Sequence, residues 1–267
     1  MKTSGVLKQT VTTVELVDVE KRYGKSVMAL RGVSAVVRSG VATGIVGESG
    51  SGKSTLGRMI VGLSTPTSGS VLVDGNDLGE LLSWRTRRAE YLRTVQLVAQ
   101  DTTNTFDPRH KVRDSIRRPA QILRGLDRPA ADAEVEEITA ELGIDPELVD
   151  RYPGQLSGGQ RQRLSIARAL IVKPKLLVCD EAVSALDISA QAVVLNLLKR
   201  YVTVHSLGMV FISHGLPATA FITEELLVMK SGRLVDAGRT AEVLRHPQHP
   251  YTQQLVDSYR RIDSLAG

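Results

Sequence analysis

The sequence has little of several residue types that define particular classes of protein. A single cysteine, Cys179, in 267 residues excludes a disulfide scaffold and fits a reducing compartment. Aromatic residues make up only 4% of the chain, which leaves few side chains for stacking on nucleic-acid bases. The apolar runs, such as 209–212 and 226–229, are far shorter than the ~18 residues that span a bilayer. No signal-peptide pattern follows the first lysines, so we expect a globular cytosolic protein.

The net charge of +5 comes from one part of the sequence. Residues 84–118 contain nine basic and four acidic residues, and the remaining basic and acidic residues cancel. Two interpretations stay open at this point. The stretch is either a solvated helix face or a contact surface for an anionic partner, because charge alone names no ligand.

The order of predicted elements indicates an α/β fold. β-branched segments bounded by Gly or Pro predict strands at 14–19, 34–37, 42–46 and 70–73. A helix at 53–63 follows a Gly-rich turn, and another apolar run occupies 92–98. After residue 175, apolar runs at 176–179, 209–212 and 226–229 alternate with helical segments at 190–205 and 216–222. This alternation favours a parallel sheet.

The middle of the chain has a different character. Residues 114–150 are charged, Ala-rich and periodic at 3.6 residues, with Ala133, Ile138 and Leu142 on the expected apolar face. The sequence therefore predicts a helical insert within the α/β unit.

One segment carries a complete phosphate-binding motif. Residues 47–54 read G-E-S-G-S-G-K-S, which fits G-x-x-x-x-G-K-[ST] between an apolar strand and a helix. Backbone N–H groups of such a loop surround an anion, the lysine meets the β- and γ-phosphates, and the last hydroxyl offers an oxygen to Mg²⁺. The residues predicted to bind nucleotide here are Gly47, Glu48, Ser49, Gly50, Ser51, Gly52, Lys53, Ser54 and Thr55.

Two adjacent acids follow the apolar run at 176–179. Asp180 and Glu181 would lie at the carboxyl edge of the sheet, where α/β proteins bind ligands. Beside a phosphate loop, Asp180 is expected to hold Mg²⁺ through water and Glu181 to polarise the water that attacks the γ-phosphate. The alternative is that the two acids merely begin a helix.

A second glycine-rich segment precedes a helix at 157–160. Ser157 and Gln160 fit a capping box, so the segment is in any case a well-formed helix start. Gly158 and Gly159 in the first turn cost helix stability, roughly 1 kcal/mol each relative to Ala. That cost is explained if the backbone must approach a phosphate closely, and the segment predicts a second anion site.

The phosphate loop, L-S-G-G-Q at 156–160 and the strand ending in Asp180-Glu181, in this order, resemble the nucleotide-binding subunit of an ABC transporter. The resemblance implies an α/β P-loop NTPase fold with a RecA-like parallel core, an N-terminal antiparallel β subdomain and an inserted helical subdomain at about 101–172. It implies one ATPase domain over 12–245, followed by a tail at 246–267. The expected cofactors are ATP and Mg²⁺.

Further residues match single positions of the family. Tyr23 resembles the aromatic that stacks on adenine, and Gln100 the glutamine that senses the γ-phosphate and Mg²⁺. His214 resembles the switch histidine that orients the attacking water, and 184–187 the loop that crosses between protomers. The chain departs from the family at Gly215, where Asp is frequent, and at Ala182, where Pro is frequent, which puts the local loop geometry in doubt.

Three further segments resemble the ATPases of dipeptide, oligopeptide and nickel importers. They are Phe106-Asp107-Pro108-Arg109, Arg151-Tyr152-Pro153 and His246-Pro247-Gln248-His249-Pro250-Tyr251-Thr252. The resemblance implies uptake of peptides, nickel or a metal chelate, at the cytoplasmic face of the membrane. It implies a second ATPase subunit, with a heterodimer favoured over a homodimer, two integral membrane permease subunits and, indirectly, an extracytoplasmic solute-binding protein.

In such a dimer, each ATP lies between Lys53 of one chain and Ser157 to Gln160 of the other. The surface of 100–118 would then transmit closure to a permease helix, so that reversing the charge of Arg113, Arg117 and Arg118 should uncouple transport. The competing hypothesis is a non-transport ABC ATPase of a soluble assembly, such as a carbon-phosphorus lyase accessory subunit. No nucleic-acid partner is expected, and a GTP switch or a small-molecule kinase leaves L-S-G-G-Q unexplained.

Overall fold

The computed structural model describes residues 11–24, 26–101, 105–184 and 186–266, with the backbone alone for 261–266. The strands in these ranges are β1 (Thr13–Tyr23), β2 (Val27–Arg38), β3 (Ala42–Gly47), β4 (Ser68–Val73), β5 (Asn76–Asp77), β6 (Val95–Val98), β7 (Leu176–Asp180), β8 (Gly208–Ser213), β9 (Glu225–Lys230) and β10 (Arg233–Arg239). The helices are α1 (Lys53–Ile60), α2 (Leu78–Ser83), α3 (Arg85–Thr94), α4 (Val112–Arg124), α5 (Arg128–Glu141), α6 (Gly158–Leu170), α7 (Ile188–His205), α8 (Leu216–Ile222), α9 (Thr240–Arg245) and α10 (Pro250–Ala266). Pro146–Asp150 and Pro153–Gln155 form 3₁₀ turns.

A six-stranded sheet in the order β10-β9-β3-β8-β7-β6 forms the centre of the chain. Every neighbouring pair from β9 to β6 is parallel, and β10 adds an antiparallel edge. All residues of β3, β7 and β8 are buried, because helices and a second sheet cover both faces. The predicted parallel core is confirmed.

The second sheet is antiparallel, in the order β2-β1-β4-β5. Its inner face packs on α1, whose Leu56, Met59 and Ile60 are buried between the two sheets. The helix lies in this layer because its apolar residues recur at three- and four-residue spacing. The first helical turn of α1 is thereby fixed at the carboxyl end of β3.

The helices between β6 and β7 pack around their own apolar face, and here the sequence prediction needs one correction. On α5 the buried residues are Ala131, Val135, Ile138 and Thr139, whereas Ala133 is exposed. Residue 133 lies about 200° around the helix from residue 131, so it faces solvent. In an Ala-rich segment, alanine alone does not identify the apolar face.

Two predicted boundaries also differ. The apolar run at 92–98 contains the end of α3 and the whole of β6, because Val95 to Val98 pair with β7. The helix predicted at 53–63 ends at Ile60, where Gly62 at φ 73° reverses the chain.

Candidate functional site

The phosphate loop lies at the carboxyl end of β3, where the parallel sheet offers its binding edge. β3 pairs with β8 on one side and with β9 on the other. The ends of β7 and β8 place Asp180 and Ser213 at the same edge of the sheet as Gly47. The predicted loop and the predicted acids are therefore neighbours.

Two glycines of the loop are required by the backbone that approaches them. At Gly47, with φ 155°, a Cβ atom would lie 2.2 Å from the carbonyl oxygen of Met229. At Gly52, with φ 102°, a Cβ atom would lie 2.5 Å from the carbonyl oxygen of Ala29. Gly50, with φ 77°, has open space around it. The loop thus forms a cradle whose back is in close contact with β2 and β9 and whose front is open.

Lys53 is held inside this loop. Its side chain is buried, and its Nζ donates to the carbonyl oxygens of Gly47 and Glu48 at 2.8 Å each. Burial lowers the pKa of Lys53, and the carboxylates of Glu181, Asp180 and Glu48 oppose that shift. An ammonium has three N–H donors, so one remains for an anion in the cradle.

Ser54 and Asp180 form a second connection across the site. The Ser54 hydroxyl donates to Oδ1 of Asp180 at 2.9 Å, although the two residues lie 126 positions apart. Burial raises the pKa of the Asp180 carboxyl above its ordinary value, and the hydrogen bond from Ser54 offsets only part of that shift. A hydroxyl and a carboxylate are oxygen ligands of the kind that Mg²⁺ takes.

Gln100, a predicted site residue, forms a hydrogen bond with Glu181, and this contact was not predicted from the sequence. The Gln100 amide Nε2 donates to Oε2 of Glu181 at 2.7 Å. Glu181 has φ 49°, its N–H donates to the carbonyl of Ile212, and its own carbonyl accepts from Ser184 Oγ. Glu181 thus has a left-handed backbone conformation held by two hydrogen bonds. This conformation costs free energy and often occurs at functional sites.

His214 lies one residue beyond β8 and is exposed at the sheet edge. The structure therefore places it on the same side of the molecule as Asp180. The following Gly215 is extended, with φ −95°, so its backbone does not require glycine at the position where the family frequently has Asp. Ala182 is buried directly after Glu181.

Tyr23 ends β1 close to the start of α1. Burial alone raises the pKa of its phenol, but hydrogen bonds with Thr55 and Ser64 and the charges of Lys21 and Arg58 lower it overall. The Lys21 Nζ lies 5.2 Å from the centre of the ring. The ring is partly exposed beside the loop, as an adenine-stacking residue must be.

The segment 157–160 is separate from the phosphate loop. The Ser157 Oγ accepts from Gln160 N at 3.2 Å, and Gln160 Oε1 accepts from Ser157 N at 2.9 Å. In the described ranges no hydrogen bond joins this segment to residues 47–55. Its glycines lie at the start of α6 and are partly or fully exposed, so the second predicted anion site is open to solvent.

The predicted basic surface is smaller than its sequence suggests. Arg113 bonds Asp150 and Glu136, and the buried Arg117 bonds Asp132 and Asp114. These pairs join α4 to α5 and to the following 3₁₀ turn. Arg113 and Arg117 thus form ion pairs within the chain, and their expected role in docking stays a prediction.

A groove of about 1250 Å³ remains between α3, α4 and α6. Arg118, Ile122 and Arg168 line it, and Ile122 is 66% exposed. Burial lowers the pKa of Arg168, and the described part of the chain offers this guanidinium no salt bridge. The groove therefore combines an apolar surface with an uncompensated positive charge.

Tyr251 is the residue at this site that sequence reasoning missed. It is 3% exposed and faces Glu48 of the phosphate loop. The signal was the motif at 246–252, which indicated a resemblance to importer ATPases but no role for any of its side chains.

In the described residues, no helix has both the length and the apolar character needed to cross a membrane.

Comparison with known proteins gives a consistent set of relatives. The family model described as "ABC transporter" matches residues 30–184. The oligopeptide transport ATP-binding protein OppF of Lactococcus lactis subsp. lactis is 38% identical over 91% of this chain and 75% of its own length. AppF of Bacillus subtilis, also named an oligopeptide transport ATP-binding protein, is 38% identical over 92% and 78%. The di/tripeptide transport ATP-binding protein DppF of Pseudomonas aeruginosa is 39% identical over 87% and 71%.

Solved structures show the same architecture. The dimeric ABC transporter cassette MJ0796 superposes with a TM-score of 0.77 at 27% identity, covering 85% of this chain and 98% of that one. Its post-hydrolysis state, bound to ADP and Pi, gives the same values. The predicted combination of a parallel core, an antiparallel sheet and added helices is thereby confirmed.

Proposed function

The chain belongs to the ABC transporter family, and from this premise we propose how its residues bind and hydrolyse ATP. It is an ATP-binding and ATP-hydrolysing subunit of a peptide-importing ABC transporter, the role for which its relatives are named. One observation carries the assignment of the site. Ser54 of the phosphate loop bonds Asp180 at 2.9 Å, directly beside a lysine that is buried in the loop.

We assign the triphosphate to the loop of residues 47–55. An anion there is supported by the open front at Gly50 and by the third N–H donor of Lys53. The buried Ser51 hydroxyl, which has no hydrogen-bond partner among the described residues, supports it too. Tyr23 would stack on the adenine. Each of these groups is in place before nucleotide arrives, so little ordering cost opposes binding.

We assign Mg²⁺ to Ser54, Asp180 and Gln100. A hydroxyl, a carboxylate and an amide provide the oxygen donors that fit a hard divalent cation. When bound, the ion would neutralise charge on the β- and γ-phosphate oxygens. The amide of Gln100 already donates through Nε2 to Glu181, which leaves its oxygen for the ion.

We assign water activation to Glu181, with Gln100 and His214 as partners. The backbone of Glu181 is held at the sheet edge by its hydrogen bond to β8, and this fixes the position from which the carboxylate extends. It would accept a hydrogen bond from the attacking water, and His214 would orient that water from the end of β8. Both groups act by position, because phosphoryl transfer needs orientation and charge stabilisation.

The second half of each ATP site would come from a partner cassette. Because Ser157 to Gln160 are open to solvent and separate from the loop of their own chain, they are available to a nucleotide on another chain. The dimeric cassettes among the structural neighbours support this arrangement. We favour a heterodimer with a related ATPase, and a homodimer is the alternative.

The membrane partners are permease subunits, and we place their contact in the groove between α3, α4 and α6. Arg168 and Arg118 favour an acidic group on the partner, and Ile122 favours an apolar one. This makes the chain a peripheral subunit, which we place on the cytoplasmic face of the membrane, with a solute-binding protein on the other side. Nickel or a metal chelate remain alternative substrates to peptides within the same importer type.

We propose that residues 12–245 form one ATPase domain, with the helical subdomain at about 101–172 inserted in it. Residues 246–267 are then a tail of the importer type. The buried contacts of Tyr251 and Val256 with β3 and β9 support a tail that packs on this domain.

The test is the variant Glu181→Gln in the dimeric ATPase, with the partner subunit added where the chain alone does not hydrolyse ATP. We expect ATP binding to be retained and hydrolysis to fall by about 100-fold or more, because the water-positioning carboxylate is lost. Binding is measured with a fluorescent ATP analogue and hydrolysis by phosphate release. The control, Glu90→Gln, alters an exposed carboxylate of α3 and should leave both unchanged. Equal turnover in Glu181→Gln and wild type would contradict the assigned role.

A further inference from the structure

The C-terminal motif at 246–252 is tied to the central sheet. Oδ2 of Asp236, on β10, accepts from the backbone N–H groups of Gln248 at 2.8 Å and His249 at 3.4 Å. The side chain of His249 in turn accepts, at Nδ1, from the N–H of Tyr251 at 3.0 Å. Asp236 is 9% exposed, so this carboxylate fixes the segment from inside the molecule. The start of α10 therefore has a defined position.

The ring of Tyr251 is buried directly behind the phosphate loop. It belongs to an apolar cluster with Val46, Val228 and Val243. Val46 lies on β3 directly before Gly47, and it pairs with Val228 of β9 in the sheet. The Lys230 Nζ lies 4.9 Å from the centre of the ring. The tail thus packs on the strand that carries the loop.

The hydroxyl of Tyr251 is the unusual group. It is buried, and no hydrogen bond of normal geometry reaches it in the described part of the chain. Burial raises the pKa of this phenol, the nearby Glu48 carboxylate raises it further, and the backbone N–H of Glu48 lowers it, so this N–H is the donor next to the hydroxyl. A buried hydroxyl that lacks a partner costs free energy, and a small shift of Glu48 would satisfy it. The carbonyl of Glu48 also accepts from Lys53 Nζ at 2.8 Å, so such a shift reaches the phosphate-binding lysine.

We propose that Tyr251 is a positioning residue for the phosphate loop, whose hydroxyl accepts a hydrogen bond from Glu48 N–H when ATP occupies the loop. This inference rests on the proposed ATPase function. The buried hydroxyl gains its missing bond in the loaded loop, and the free energy gained favours nucleotide binding. The motif at 246–252 then has a structural function, because it brings the tail to the back of the ATP site.

The test replaces only the hydroxyl. In Tyr251→Phe the ring, its apolar packing and the Lys230 contact stay, so the fold should be retained. We expect the Kd for a fluorescent ATP analogue to rise about fivefold, since one hydrogen bond of about 1 kcal/mol corresponds to that factor. The KM for ATP should rise by a similar factor, with kcat at saturating ATP within about twofold of wild type. The matched control is Tyr259→Phe, on the same helix and in the same apolar cluster but not in contact with the loop.

Both variants are first compared with wild type by thermal unfolding. Weaker binding in Tyr251→Phe, with Tyr259→Phe like wild type, supports the proposal. Equal affinities in all three proteins, or an equal loss in both variants, would overturn it. A wild-type chain that neither binds nor hydrolyses ATP would instead contradict the proposed function.

Discussion

At Gly47 the backbone of another strand decides which residue can begin the phosphate loop. The carbonyl oxygen of Met229, on β9, is 2.2 Å from the position that a Cβ atom would take. The Ser51 hydroxyl is 2.8 Å from the same position. Because the nearest obstacle is backbone rather than a flexible side chain, the loop must move if Gly47 is replaced.

We therefore expect Gly47→Ala to lower the free energy of unfolding by about 2 kcal/mol, as overpacked sites do, and to abolish ATP binding at ordinary nucleotide concentrations. Urea denaturation gives the first value and a fluorescent ATP analogue the second. The comparison is Gly50→Ala, which faces open space and carries only the cost of a positive φ, about 1 kcal/mol. A Gly47→Ala protein as stable as Gly50→Ala would contradict the steric explanation.

At the scale of elements, ion pairs join α4 to α5. Arg117 projects from α4, is buried, and donates to Asp132 of α5 at 2.8 Å and to Asp114 of its own helix. Arg113 donates to Glu136 of α5 and to Asp150 in the following turn. These ion pairs stabilise the helical subdomain. A loss of transport after charge reversal at Arg113 or Arg117 could therefore result from unfolding of the subdomain as well as from lost docking.

We expect Arg117→Met to lower the free energy of unfolding by about 2 kcal/mol, because two partly exposed aspartates lose a buried partner while the apolar stem is preserved. The neighbouring Arg118→Met, which removes an exposed charge, should change it by less than about 0.5 kcal/mol. Urea denaturation of the two variants beside wild type checks both values. Similar losses in the two variants would show that Arg117 is not structural.

At the scale of the whole molecule, the two glycine-rich segments lie on separate surfaces. The phosphate loop is at the carboxyl edge of the sheet, and Ser157 to Gln160 begin a helix of the insert. Within the described ranges no hydrogen bond joins the two segments, and the hydrogen bonds of Ser157 and Gln160 lie within their own helix start. In a head-to-tail pair of cassettes, the phosphate loop of one chain would face residues 157–160 of the other, with ATP between them.

We expect ATP to convert Glu181→Gln from monomer to dimer in size-exclusion chromatography with light scattering, because bound ATP persists when hydrolysis is slow. If the chain pairs only with a different subunit, the dimer should form after that subunit is added. Combining Glu181→Gln with Lys53→Ala should leave the protein monomeric in either case. Dimerisation of the double variant with ATP would show that the contact does not depend on nucleotide.

Features that depend on short spacing along the chain could be predicted from the sequence alone. The loop at 47–54 was predictable because its glycines, lysine and serine act within eight consecutive positions, and local backbone geometry follows from residue type. The parallel core was predictable because buried strands leave continuous apolar runs between helices. The face of α5 was not, because Ala133 and Ala131 are chemically identical and only packing distinguishes them.

Contacts between distant positions became visible only in the folded chain. Asp180 meets Ser54 across 126 positions, Gln100 meets Glu181 across 81, and Asp132 neutralises Arg117 from another helix. Tyr251 reaches Glu48 only because the tail returns to the strand that precedes the loop. Such contacts depend on how strands are ordered and how helices pack, and no local pattern encodes a distance between residues that far apart along the chain.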